Sequence, residues 1–231
     1  MIPLRVESPR RTFPSATLLL IALNVGMFGY QISLPPKAAE AMVTTYGLVP
    51  SRTERMVKAP RGHIEADVLP LVTSMFLHGG LLHLLGNMLF LWVFGASVEG
   101  RLGHAGYLAF YLFCGLASGV VHILANWGSG IPSIGASGAI SGIMGSYIIL
   151  FPTSRILTLV PLLFLFFTVR IPALLILSYW FLIQFLSGLS TLGQLDQGGV
   201  AWWAHIGGFI VGALMGLIFR LNSVFSKRAW L

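Results

Sequence analysis

Six stretches of the chain are nearly free of charge, and turn-forming or polar residues separate them. They cover about 15–34, 79–98, 103–125, 133–151, 172–186 and 200–219. None alternates apolar and polar with a period of two, as the strands of an outer-membrane barrel would. Unbroken apolar runs near 20 residues are what a bilayer-crossing helix requires. The pattern therefore predicts an all-α membrane protein, a bundle of six transmembrane helices. Pro35 and Pro36 close the first run, because proline removes a backbone donor and clashes with the preceding turn. The fourth run is short and rich in small residues. Pro172 opens the fifth at a favoured first-turn position, and Trp202 and Trp203 place the start of the sixth in the interfacial aromatic belt. Between the runs lie one long mixed loop, 36–78, expected to carry short amphipathic helices at the interface, and a segment at 153–171. The latter has Pro161 and several β-branched residues between Arg155 and Arg170, and reads as an interfacial re-entrant loop. The chain divides into a cytoplasmic N-terminal segment, 1–14, a membrane domain, 15–222, and a cytoplasmic tail, 223–231.

Composition strengthens this reading. Hydrophobic residues make up 56% of the 231 and charged residues 9%, against about 25% charged in soluble domains. So few charges cannot cover a water-soluble surface, and a disordered chain needs the opposite bias. The net charge of +7 reads as loop asymmetry rather than nucleic-acid binding. Arg5, Arg10, Arg11, Arg101, Arg155, Arg170, Arg220, Lys227 and Arg228 fall on the side of the N-terminus. The opposite side holds Lys37, Arg52, Arg55, Lys58 and Arg61 in the long loop, nearly balanced by Glu40, Glu54, Glu65 and Asp67. The positive-inside rule then puts both termini in the cytoplasm. The first run exceeds the roughly 7–15 apolar residues of a signal peptide, so a retained helix is expected. The single cysteine, Cys114, excludes an intrachain disulfide and a cysteine-rich zinc site.

Chemistry is sought in the exceptions, because polar side chains inside a bilayer are costly and default to functional candidates. His83 and Asn87 share a face of the second run at i, i+4, as do Ser137 and Ser141 in the fourth, and the sixth carries His205. All three runs point from outside to inside. Each polar group comes five to nine residues after its run begins, roughly 7–13 Å deep at about 1.5 Å per residue. Three segments thus place polar groups at one depth, as a single site wetted from outside requires. Gly135, Gly138, Gly142 and Gly145 line the fourth run, and Gly208, Gly212 and Gly216 line the sixth with His205 on the same stripe. Small residues at such spacing let helix backbones approach closely, bringing Ser137 toward His205.

Gly135-Ala136-Ser137-Gly138 opens a helix with a serine flanked by glycines. Glycine leaves room around a nucleophilic oxygen, and the free N–H groups of a helix start can hold an oxyanion. Asp67 and Asp196 are the only aspartates and both lie in loops, so a Ser137–His205 dyad is expected rather than a triad. His205 is the expected base. His83, Asn87 and the N–H of Ser137 are the expected oxyanion donors. A zinc protease would require H-E-x-x-H, but Leu84 follows His83. An aspartyl protease would require two membrane aspartates. Two other readings use the same residues: a catalytically silent membrane-protein binder, and a transporter, which would want polar groups across the whole membrane.

The elements His78-(x4)-His83-(x3)-Asn87-Met88, Glu99-Gly100-Arg101-Leu102-Gly103, Gly135-Ala136-Ser137-Gly138 and Ala204-His205-Ile206-Gly207-Gly208-(x3)-Gly212 together resemble the rhomboid family of intramembrane serine proteases. The resemblance covers about 15–220. It implies a six-helix core, Ser137 as nucleophile, His205 as base, and an oxyanion hole at His83 and Asn87. It implies substrates that are transmembrane segments of other proteins within the lipid bilayer, with no metal, cofactor or nucleic acid. The fifth helix and the loop 188–199 resemble a mobile gate, His78 reads as structural, and Arg101 resembles a residue that braces the first loop. Ser141 stands where some family members have an aromatic that stacks on the histidine. No seventh helix or organelle presequence is seen, which favours a bacterial cytoplasmic membrane. Neither the substrate nor the oligomeric state is encoded legibly.

Overall fold

The computed structural model describes residues 2–8, 12–58, 68–162, 165–193 and 199–228. The backbone of 223–228 is helical, and side chains are described to residue 222, except at 162. Arg10, Arg11, Arg61, Glu65, Asp67 and Asp196 lie outside the described residues, and the side chains of Lys227 and Arg228 do as well.

The helices are α1 (Ser15–Ser33), α2 (Pro36–Tyr46), α3 (Pro50–Lys58), α4 (Pro70–Thr73), α5 (Leu81–Leu102), α6 (His104–Ala125), α7 (Ser137–Leu150), α8 (Ala173–Ser190) and α9 (Trp202–Arg228). Among them α1, α5, α6, α8 and the Trp202–Asn222 part of α9 are long and apolar enough to cross a membrane, and α7 is a shorter apolar helix. The helical bundle expected from the apolar runs is present. Many large apolar side chains face outward, among them Leu82, Leu124, Phe113, Leu175 and Leu214. That is the surface a lipid solvent selects, since a bundle in hydrocarbon need not hide its leucines.

Alpha7 is central. At about 1.5 Å per residue its 14 residues reach about 21 Å, short of the roughly 30 Å hydrocarbon thickness. Nearly all of it is buried, from Gly138 to Tyr147. Helix α9 lies against it glycine to glycine. A methyl group at Gly212 would collide with the Gly142 carbonyl, one at Gly208 with the Gly138 carbonyl, and one at Gly145 with the Phe209 carbonyl. On the other side Gly138 meets Ser118 and Gly142 meets Cys114, both on α6. The small-residue stripes are therefore the seams of the bundle.

Helix α1 joins through one face, Thr17, Leu20, Asn24, Phe28 and Gln31, spaced three and four apart. Its first turn is capped by a carboxylate from α5. The buried Glu99 accepts from the Ala16 N–H at 2.8 Å, the Thr17 N–H at 2.8 Å and the Thr17 hydroxyl at 2.6 Å, and His104 Nδ1 lies 2.6 Å away. An acid at a helix N-terminus satisfies orphan donors and opposes the helix dipole. This accounts for the glutamate of Glu99-Gly100-Arg101. Arg101 lies in the last turn of α5, about 27 Å along the axis from His83. Alpha5 runs from the long loop to the start of α1, so the expected brace between Arg101 and that loop is corrected. The two are at opposite ends of one helix.

The long loop does carry helices, α2 and α3, followed by α4 and a 3-10 turn at Ser74–Phe76. It is tied over the start of α7. Leu48 and Ser133 pair as an isolated antiparallel bridge, and Gly135 N–H donates to the Ser74 carbonyl at 2.8 Å.

Segment 153–171 is not a re-entrant loop. It is a β-hairpin, β2 (Arg155–Leu162) and β3 (Leu165–Pro172), extended by a strand at the N-terminus, β1 (Ile2–Val6), into an antiparallel sheet of order β1-β2-β3. The β-branched residues follow strand periodicity: Ile156 and Thr158 are buried, and Val6 of β1 is buried beside them. Tyr147 of α7 donates to Ser8 at 3.0 Å and meets Ser154 at 2.6 Å, fixing the sheet to the helix end. Pro172 is the N-cap of α8 rather than its first residue; its partner in the ladder, Arg155, holds it in the strand.

Candidate active site

Ser137 is the first residue of α7, so its N–H belongs to the group that a helix leaves without an intrahelical acceptor. The preceding Gly135 has φ +128, a backbone that side chains rarely adopt. A methyl group there would sit 2.8 Å from both Cε1 and Nε2 of His83. Glycine is required on both counts. The fourth run thus begins its helix four residues later than its apolar pattern, at the serine itself.

His205 is on the first turns of α9, buried at 9% exposure. Its Nε2 lies 2.7 Å from Ser137 Oγ. The closeness follows from the glycine seam, because Gly208 one turn below holds α9 against the Gly138 carbonyl.

The second run supplies the opposite wall. His78, in the turn before α5, is clamped to α1: Gln31 Nε2 donates to its carbonyl at 2.8 Å, and its N–H reaches Gln31 Oε1 at 3.3 Å. Burial, with His83 nearby as a second cause, pushes the His78 imidazole down to about 4, so it is neutral. Its Nε2 therefore accepts from Asn87 Nδ2 at 2.9 Å. His83 Nδ1 accepts from the Gly79 N–H at 3.4 Å, which leaves the ring proton on Nε2, the edge facing Gly135. His83, Asn87, Ser137, Ser141, Trp180 and His205 line one cavity of about 440 Å³, with Phe90, Ile140 and Met144 supplying apolar walls. A second cavity of about 230 Å³ adjoins it at His83 and is lined by His122, Asn126, Ser129 and Ser133. One wall suits a hydrophobic peptide and the other suits water.

Ser141 does not stack on the histidine. Its hydroxyl donates back to the Ser137 carbonyl at 2.6 Å. Two residues of α8 hold the ring instead, and neither was expected. Gln184 Oε1 lies 2.6 Å from His205 Nδ1, and the Trp180 ring lies 5.9 Å from the imidazole at 35°. The available signal was Gln184 itself, a polar residue four after Trp180 and four before Gly188 within an apolar run.

Ser137, His205, His83, Asn87, Gly135, Gly138, Gly208 and Gly212 are thus gathered around one cavity and its helix seam, while Arg101 is remote. The fold and site define a polytopic helical membrane protein with a serine–histidine pair sunk below the surface. A Rhomboid domain profile matches residues 65–222, more than half of the chain. The chain belongs to the rhomboid family. It is 33% identical over 123 residues to the mouse presenilin-associated rhomboid-like protein, mitochondrial, covering 52% of this chain and 33% of that protein. It is 32% identical over 155 residues to rhomboid protein 1, mitochondrial, of Saccharomyces cerevisiae, covering 64% and 41%. Arabidopsis thaliana RHOMBOID-like protein 6, mitochondrial, is 32% identical over 152 residues, covering 66% and 44%. The match thus spans about a third of the mouse relative's length. These relatives are mitochondrial proteins, which overturns the expectation of a bacterial cytoplasmic membrane.

Proposed function

We propose that the chain is an intramembrane serine endopeptidase in which Ser137 attacks and His205 acts as base and then acid. The domain carrying this activity is residues 15–222, its substrates are transmembrane segments of other proteins, and the mitochondrial relatives support a mitochondrial membrane as its setting. The observation that carries the reading is the 2.7 Å separation of Ser137 Oγ and His205 Nε2 at the wall of a partly apolar cavity.

The chemistry follows from the positions. Nε2 takes the hydroxyl proton as Oγ bonds the scissile carbonyl carbon, and the carbonyl π electrons move to oxygen. The N–H of Ser137, the Nε2–H of His83 and the Nδ2 amide of Asn87 can face that oxyanion. Donors already in place need no reorganisation as charge develops, and each is typically worth about 10²–10³ in rate. The C–N bond then breaks, and Nε2–H protonates the leaving amine. Water from the polar cavity repeats the sequence on the acyl enzyme. The alternative of a silent binder loses ground to the same separation, since binding alone does not call for a serine hydroxyl beside a histidine nitrogen at the wall of a cavity.

A fluorophosphonate probe tests the reading on the purified full chain. Labelling is expected, with loss in Ser137→Ala and in His205→Ala and parallel loss of cleavage of a reporter transmembrane substrate. A folded chain that neither labels nor cleaves would overturn it.

A further inference from the structure

We propose that Gln184 is a positioning residue for His205: its side-chain oxygen holds the imidazole in the tautomer and orientation that let Nε2 take the serine proton. This rests on the serine-protease reading and deepens it. A dyad has a weakness that geometry alone does not remove. A neutral imidazole carries one proton on either nitrogen, and only the Nδ1–H form presents a lone pair at Nε2. In triads an acid at Nδ1 selects that form. The chain's two aspartates, at 67 and 196, fall outside the apolar runs of the sequence. Gln184 Oε1 stands in the acid's place, 2.6 Å from Nδ1, and an amide oxygen can only accept. It fixes the proton on Nδ1 and stabilises the imidazolium that forms when Nε2 is protonated.

The surroundings make the contact deliberate. Among the residues of α8 only Ala173, Leu177, Gln184 and Gly188 are buried, so the glutamine belongs to the one stripe by which this lipid-exposed helix touches the bundle. Gly188, one turn on, lets α8 close in: a methyl group there would be 3.1 Å from Ile206 Cδ1 and 3.4 Å from the Trp203 ring. Trp180, one turn earlier, covers the imidazole face. Burying an amide in a lipid-facing helix is costly unless it is hydrogen-bonded, and the histidine is its described partner. The consequence is a coupling. His205 is poised while α8 is packed, and swinging α8 outward removes both the acceptor and the covering ring.

The described lining of the 440 Å³ cavity includes Trp180 but not Gln184, so the residue acts on turnover rather than on substrate binding. In the full-length protein, reconstituted in lipid, Gln184→Leu is expected to lower kcat about ten- to a hundred-fold, toward the low end of what a positioned base contributes. KM stays within about two-fold, because uniform binding is untouched, and the fluorophosphonate labelling rate falls in parallel with kcat. Gln184→Glu keeps an acceptor at the same reach and restores kcat at neutral pH. It also moves the acidic limb of the kcat/KM profile to higher pH, because a carboxylate favours the protonated imidazole. The other titratable side chains facing the pocket are His83 and His122, and they are the same in both variants. Unchanged kcat and labelling in Gln184→Leu would overturn the proposal, as would a Gln184→Glu variant no better than Gln184→Leu. If the unsubstituted chain does not label, the protease reading has failed first. If it labels and Gln184→Leu labels equally fast, only this inference fails.

Discussion

Replacing Gly208 by alanine tests whether the glycine seam, and not the mere presence of serine and histidine, makes the site. A methyl group at Gly208 would lie 3.0 Å from the carbonyl carbon of Gly138, closer still to its oxygen, and 3.4 Å from Ser141 Cβ. Carbon atoms in contact settle at about 3.5–4.0 Å, and the Gly138 carbonyl is helix backbone, which cannot rotate away. Relief therefore requires α9 to move off α7 by about 1 Å, the shortfall against that contact distance. His205 travels with α9, so its 2.7 Å contact with Ser137 opens to about 3.7 Å, beyond hydrogen-bonding range. A misplacement of about 1 Å costs about 10²-fold in rate, or about 2.7 kcal/mol. The assay is the fluorophosphonate labelling rate together with cleavage of a reporter transmembrane substrate, each alongside a thermal melt in detergent. Gly26→Ala and Gly29→Ala on α1 are the controls, because nothing lies within 4 Å of a methyl group at either position. There alanine improves helix propensity by up to about 1 kcal/mol and leaves the rate alone. A folded Gly208→Ala protein that labels at the unsubstituted rate would refute the reasoning, and so would equal losses at Gly26 and Gly208.

Two further outcomes follow from contacts that do not involve the serine itself. Glu99→Leu strands the Ala16 and Thr17 N–H groups, and a buried unsatisfied donor costs about 1–3 kcal/mol each. The melting midpoint should fall accordingly while the labelling rate at low temperature is kept; an unshifted midpoint would mean that α1 finds its cap elsewhere. His78 titrates differently in the two states. Folded, burial and then the neighbouring His83 hold it down to about 4, whereas the unfolded chain takes its proton near 6.5. The unfolded state therefore binds more protons between these values, and stability falls as pH is lowered from about 6.5 to about 4. His78→Gln should flatten the melting midpoint across that window, and an undiminished slope would assign the effect to other groups.

The apolar runs made the helical bundle legible because a lipid solvent demands one solution from any long uncharged stretch: satisfy the backbone internally. Ser137, His205, His83 and Asn87 were legible for the related reason that polar groups stand out against such runs. The sheet was not. Its strand β2 has the alternation of Ile156, Thr158 and Val160, but its third strand comes from residues 2–6, and no local pattern announces a partner about 150 residues away. The apolar run of α7 begins four residues before the helix, which starts at the serine of Gly135-Ala136-Ser137-Gly138. What stops it is tertiary, the Leu48–Ser133 bridge and the Gly135–Ser74 hydrogen bond. Gln184 carried a visible signal, a polar residue in an apolar run. Its role depends on which face of α8 meets α9, and that is decided by Gly188 and the residues it meets across the interface.

Under the proposed protease reading, the shortness of α7 and the narrow buried stripe of α8 answer opposite requirements. Hydrolysis needs water and a charged intermediate, both of which hydrocarbon excludes. A 14-residue helix is shorter than the hydrocarbon layer, and a cavity lined by His83, His122, Asn126 and Ser129 adjoins the one at its N-terminal Ser137. A peptide must reach the same serine from the lipid side, and there a rigid wall would exclude it. Helix α8 forms that wall with a narrow buried stripe and outward-facing Leu175, Tyr179 and Leu186, so the cost of parting it from the bundle is small in hydrocarbon, where exposed leucine is not penalised. The glycine seam between α7 and α9 has no such freedom, because backbone meets backbone. Serine and histidine are therefore carried on the two elements that cannot separate, and the groups that complete the histidine's environment are carried on the one that can.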